Sequence, residues 1–202
     1  MNFLAHALLA GDADTDQIGG LMGDFVKGPL PAGLPPALAS GVALHRAIDS
    51  FAEQHDAFIA SRARISPLRR RLSGVLVDMF YDHLLARDWT LYGSGPLDEY
   101  TCQLYAALQN HVGHFSPKAR EVADKMRTND WLGSYRESAM IGHAIDRMAN
   151  YRLRRPNPLG GGIEEFLANE HGFEADFRAF LPDAIAFAAR WRSARDAGIS
   201  RS

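Results

Sequence analysis

The chain has 202 residues, 47% of them hydrophobic and 23% charged, with a formal net charge of −2. That is enough apolar material for one real core and too little positive charge for a general polyanion binder, so no nucleic-acid partner is expected. No stretch approaches the roughly 18 apolar residues of a membrane span, and the single Cys102 excludes an internal disulfide.

Strand signals are nearly absent, and helical period dominates. The expected fold is all-α, with helices at about 2–10, 15–27, 35–62, 66–88, 96–113, 117–127, 131–155, 162–180 and 182–196. The apolar start MNFLAHALLA lacks a basic region and contains His6, which argues against a signal peptide. On that apolar face His6 reads first as a hydrogen-bonded core residue, and as a ligand only if a metal site forms beside it. Asp24, in GLMGDFVKG, closes the second helix between Gly23 and Gly28, where an acid can approach a ligand or lie idle at the surface. The segment KGPLPAGLPP is a turn-rich loop. After it, His45 and Asp49 in HRAID are spaced i,i+4 and leave one helix face together. Arg46 points about 100° away, toward the rim of any site.

Ser66-Pro67 and Ser116-Pro117 each place an N-cap hydroxyl before a proline suited to the first helical turn. Asp78 and Asp82, in DMFYDH, repeat the i,i+4 spacing in an apolar stretch, and His83 follows as a general acid, a supporting partner or a cap. Unpaired carboxylates facing a core are costly, so two such pairs suggest a shared cation. Imidazole with carboxylate suits Mn²⁺, Fe²⁺ or Zn²⁺. Either pair alone reads more readily as a solvated ion pair or a capping group. Cys102, in EYTCQLYAAL, is read as a small core residue of a protein in a reducing, cytoplasmic compartment. Trp131 and Tyr135 are read as core aromatics. Pro182 is expected to end or kink its helix. Arg69, Arg70 and Arg71, with Arg152, Arg154 and Arg155, form local positive patches that are either solvated helix surface or docking sites for an acidic partner. The P-loop, the Rossmann glycines and the G-x-S-x-G elbow are missing, which leaves metal-activated water as the nucleophile if this is an enzyme.

The blocks MNFLAHALLA, GLMGDFVKG, GVALHRAIDSFAEQHDAF, VLVDMFYDHLLARDW and WLGSYRESAMIGHAIDRMANYRLRRPNPL, in that order, resemble the acyl carrier protein phosphodiesterase family over about residues 1–195. The resemblance implies a single helical domain of the HD-type phosphohydrolase kind over 1–195, with a frayed tail at 196–202. It also implies hydrolysis of the phosphodiester between a carrier-protein serine and its 4′-phosphopantetheine arm. Mn²⁺ is the metal it implies, with Mg²⁺ or Fe²⁺ as alternatives, and holo acyl carrier protein is the partner. Carried onto this chain, the metal and acid residues are Asp24, His45, Asp49, Asp78 and Asp82, with His6 beside them. Arg46 and His83 line the pocket, and Arg69–Arg71 face the partner. The HD pattern's adjacent His-Asp dyad is absent; the only adjacent pair is the reversed Asp82-His83. Two competing readings are a hydrolase of small phosphoesters or nucleotides and a helical module that grips a carrier protein without cleaving it.

Overall fold

A computed structural model describes residues 2–151 and 156–199, and among them every regular element is helical. In order, the α-helices are α1 (Phe3–Leu9), α2 (Asp14–Met22), α3 (Pro36–Gln54), α4 (Asp56–Arg64), α5 (Ser73–Arg87), α6 (Leu97–His111), α7 (Pro117–Thr128), α8 (Trp131–Ser134), α9 (Ser138–Tyr151), α10 (Ile163–Ala168) and α11 (Glu170–Ile199), with short 3₁₀ turns between some of them, the first at Gly23–Phe25. They surround one core. The fold is all-α and single-domain, as the sequence predicts, and no described helix is long and apolar enough to cross a membrane.

Helix α5 is the axis of that core. Leu76, Val77, Met79, Phe80, Tyr81, Leu84 and Leu85 are buried around it, so it is apolar on nearly every side rather than along one stripe. Phe80 and Tyr81 meet Phe173 and Phe177 of α11 edge-on, at ring-centroid distances of 5.1 and 5.2 Å. On the other flank, α2 crosses α3 at two glycines. A Cβ on Gly19 would lie 2.6 Å from the Gly41 Cα, and one on Gly41 would lie 2.8 Å from the Asp16 carbonyl oxygen. These contacts are to backbone, which cannot swing aside. Gly19→Ala is therefore expected to cost roughly 1–3 kcal/mol, measurable as a lower denaturant midpoint. An unchanged midpoint would show that the crossing relaxes freely.

Several expected boundaries move, for local reasons. The helix expected over 35–62 breaks at His55, whose backbone is extended (φ −82°, ψ 129°). Its Nδ1 accepts the Ala57 N–H and so caps α4. The helix expected from residue 66 begins at Ser73, because the Ser66 hydroxyl and N–H both bind the Glu165 carboxylate. The segment expected as one helix over 131–155 is divided between α8 and α9. Pro182 does not end its helix, and α11 continues through it to Ile199. Pro182 and Arg178, whose carbonyl it leaves without a helical donor, both face solvent, while Phe177, Phe180, Leu181 and Ala184 hold the opposite face in the core. Cys102 is exposed, not core, because it lies about 100° round α6 from its buried neighbour Thr101. Tyr135 is buried as expected, whereas Trp131 is only partly buried, with the Arg147 guanidinium 5.1 Å from its ring. A cation shared by both i,i+4 pairs requires α3 and α5 to pack side by side; instead α3 lies chiefly on α2, and α1 contacts both α2 and α5.

Candidate metal centre

Helices α1 and α3 and the 3₁₀ turn at Gly23–Phe25 bring two histidines and two carboxylates to one point. His6 and His45 are 1% and 4% exposed, and their rings stack with centroids 3.8 Å apart. Glycines make room for them. A Cβ on Gly23 would lie 2.4 Å from His45 Cγ, and one on Gly20 would lie 3.0 Å from the His6 carbonyl oxygen. His45 Nδ1 lies 2.8 Å from the Gly20 carbonyl. A carbonyl only accepts, so Nδ1 carries the proton and, in the neutral ring, Nε2 presents its lone pair. That lone pair faces Asp49 Oδ2 at 3.3 Å and Asp24 Oδ1 at 3.6 Å. His6 Nε2 lies 3.1 Å from Asp49 Oδ1. One ligand atom from each of His6, His45 and Asp49 falls within 4.8 Å of the others, which is metal-ligand spacing.

The local electrostatics keep this cluster ready for a cation. Burial and the adjacent His45 lower the His6 pKa to about 3, so its ring stays neutral. Asp24 is held below the usual carboxylate range by the His45 ring beside it. Burial alone would raise Asp49, but the hydrogen bond with His6 and nearby positive charge outweigh it and keep the carboxylate ionised. In the unfolded chain His6 takes up a proton near pH 6.5. The unfolded state therefore binds the extra proton between that pH and about 3, and His6 lowers stability as pH falls through this window. Burial pushes Asp82 up to about 7, which acts in the opposite direction over much of the same range. The His6 contribution is thus read from a difference. Metal-free wild type should lose up to about 1.4 kcal/mol per pH unit more than His6→Gln between pH 6 and 4 in denaturant titrations. Parallel curves would refute it.

The other expected site residues are dispersed. Two clefts meet at Asp24 and Asp49. One, of about 370 Å³, runs between the Gly23–Phe25 turn and α3, past Val26, Lys27, Gly28 and Arg46. The Arg46 guanidinium donates to the Val26 carbonyl at 2.9 Å, which holds it at this rim. The second, of about 280 Å³, runs toward α4 and α5 and is lined by Ala52, Phe58, Arg62, Arg71, Val75 and Asp78 among others. Burial raises the Asp78 carboxyl, and the charges of Asp49 and Asp24 raise it further. Asp82 turns elsewhere: its two oxygens accept the Leu4 and Ala5 N–H groups at 2.9 and 3.0 Å, at the start of α1. His83 packs away from the cluster, donating from Nδ1 to the Tyr135 carbonyl at 2.8 Å, its ring edge-on to Phe166. Arg69 is committed to the 158–165 region through the Pro158 and Gly160 carbonyls and Glu165. Arg70 and Arg71 are exposed. Arg152, Arg154 and Arg155 lie outside the described residues. Lys27, Glu53 and Arg62 line the clefts without having been singled out from the sequence; only Lys27 carried a signal, its place in the glycine-bounded block GLMGDFVKG.

Fold and site together define an all-helical protein with a histidine–carboxylate cluster at the junction of two clefts. The family model described as acyl carrier protein phosphodiesterase matches residues 1–184, and the chain belongs to this family. An acyl carrier protein phosphodiesterase of Serratia proteamaculans is 32% identical over 186 residues, spanning 92% of this chain and 96% of the relative. One from Salmonella paratyphi A is 31% identical over 191 residues, spanning 94% and 98%. One from Salmonella dublin is 30% identical over the same length. No solved structure matches the chain.

Proposed function

We propose that this chain is a metal-dependent phosphodiesterase that hydrolyses the bond between the serine of holo acyl carrier protein and its 4′-phosphopantetheine arm. Family membership supports the reaction class, and the relatives' names support the substrate. The observation that carries metal dependence is the orientation of His45. With Nδ1 committed to the Gly20 carbonyl, its Nε2 lone pair faces two carboxylate oxygens, an arrangement that is repulsive unless a proton or cation lies between them.

His6, His45, Asp49 and Asp24 would hold the cation, and a mixed nitrogen–oxygen donor set suits Mn²⁺, with Fe²⁺ or Mg²⁺ as alternatives. A divalent cation bound there neutralises phosphate charge and acidifies a water molecule. The protein's own groups do the remainder. Arg46 and Lys27, on the rim, offer hydrogen bonds to phosphate oxygens. Asp49 and Asp24, held ionised, can accept a proton from water, and Asp78 stands beside them to exchange one with the departing ester oxygen. Asp82 and His83 act indirectly, by fixing α1 and α5. Arg70 and Arg71 meet the acidic face of the carrier, while Arg69 holds the loop behind them. Residues 1–195 form the functional unit. In this reading the all-helical cation site is what the chain shares with HD-type phosphohydrolases.

The test is intact-mass analysis of holo carrier protein incubated with the enzyme and Mn²⁺, with metal content measured in parallel. The carrier should return to its apo mass, and a chelator should stop the reaction. Cleavage of free nucleotides but not of the carrier would select the small-phosphoester reading. Carrier binding without cleavage and without metal would select the binding module.

A further inference from the structure

A phosphodiester has two ester substituents, and here two clefts leave the cation cluster in different directions, with Asp24 and Asp49 as their common wall. The geometry points to a division of the substrate between them: the α4–α5 cleft receives the carrier-protein side of the diester, and the α2–α3 cleft receives the 4′-phosphopantetheine arm. This rests on the phosphodiesterase reading and adds its direction.

The two mouths differ in chemistry. Around the α4–α5 cleft, large apolar side chains stand in solvent beside cations. Of its lining, Val75 is 36% exposed and Arg71 is exposed; Leu68, 67% exposed, and Arg70, also exposed, lie just before Arg71 in the chain. Arg70 and Arg71 make no salt bridge among the described residues, so their charge is available to a partner. Apolar contacts rimmed by unpaired arginines suit an acidic protein surface, where charge steers the encounter and the apolar groups hold it. The α2–α3 cleft has no such rim. Its side chains are Val26, Lys27 and Arg46, and its wall at Gly28 leaves open space, with nothing within 4 Å of a Cβ built there. That is an open trough with two cations beside the cluster, suited to a flexible polar chain ending in phosphate rather than to a protein face.

Glycine supplies the means of test. Gly74 lines the α4–α5 cleft near the start of α5, with a helical backbone and nothing within 4 Å of a Cβ built on it. Gly74→Phe therefore fills this cleft without backbone strain. Lys27→Glu reverses charge at the exposed rim of the other. The experiment is product inhibition of holo carrier turnover, with apo carrier protein and free 4′-phosphopantetheine titrated separately against wild type and each variant. Gly74→Phe should raise the inhibition constant of apo carrier protein by about tenfold and leave that of 4′-phosphopantetheine within twofold. Lys27→Glu should do the reverse, with a loss of about three- to tenfold that shrinks at high salt. Inhibition constants that move together, or in the opposite pairing, would overturn the division of clefts while leaving the phosphodiesterase reading intact. Absence of wild-type turnover would remove both. If Gly74→Phe proves misfolded by circular dichroism, Arg71→Glu takes its place with the same expected pattern.

Discussion

Asp49→Asn should lower kcat on holo carrier protein by about a thousandfold or more, which corresponds to about 4 kcal/mol of barrier, and should remove the bound metal. No other side chain is so central to the cluster. One Asp49 oxygen meets His6 Nε2 at 3.1 Å and the other faces His45 Nε2 at 3.3 Å, so this carboxylate stands between the two imidazoles. The amide is nearly isosteric but carries no charge, and its nitrogen presents hydrogens where a cation would sit. Asp49 is 38% exposed, so the change opens no core cavity, and circular dichroism should report a folded chain. Metal analysis of the purified variant distinguishes a lost ligand from a lost proton acceptor, because only the former empties the site. Wild-type kcat in Asp49→Asn under saturating Mn²⁺ would end the metal-centre assignment. Asp78→Asn, whose carboxyl lies in the adjoining cleft outside the three-residue cluster, should reduce kcat while leaving bound metal nearer the wild-type level.

The two i,i+4 pairs show what spacing can and cannot reveal. His45 and Asp49 point together because α3 has one buried face and one face toward the clefts, so period alone places both at the site. Asp78 and Asp82 have the same spacing, but α5 is buried on almost every side. A helix in that position serves several neighbours at once. Asp78 reaches the cleft, while Asp82, one turn on, reaches the start of α1. His6 is hard to place from sequence for the complementary reason: its partner Asp49 is 43 positions away, and no local pattern links α1 to α3. The glycines of GLMGD were a legible signal. Gly20 and Gly23 are small because a backbone and an imidazole ring lie against them. The all-α class was legible because helical period and missing strand alternation act over every segment. Breaks such as His55 were not, because they depend on single side-chain caps. The Arg69 cluster illustrates the same limit on the surface. Three consecutive arginines look alike in sequence, yet Arg69 is spent on Glu165 and two carbonyls while its neighbours face solvent.

Asp82→Ala should lower the stability of metal-free protein by about 2–4 kcal/mol, since it leaves two buried backbone N–H groups without an acceptor. In a chain of this size that is a fall of roughly 5–15 °C in Tm. The carboxylate does for α1 what a capping residue does at other helix starts, but from across the fold, 77 and 78 positions away. Asn2, the residue before the helix, makes no such bond itself. Burial opposes the ionised form and the two N–H donors favour it, which is how a carboxyl pushed up to about 7 still serves as an acceptor. Asp82→Asn keeps one carbonyl oxygen for the pair and should lose about half as much. The measurement is thermal unfolding in the presence of a chelator, because it separates the two roles this residue can have. An anchor of α1 destabilises the metal-free protein when removed. A metal ligand leaves the metal-free protein as stable as before, or more so, and destabilises only the loaded form. Since α1 carries His6, displacement of the helix should also weaken metal binding by roughly 10–100-fold, and Asp82→Asn should recover part of that loss. Unchanged unfolding of metal-free Asp82→Ala would return Asp82 to the ligand shell.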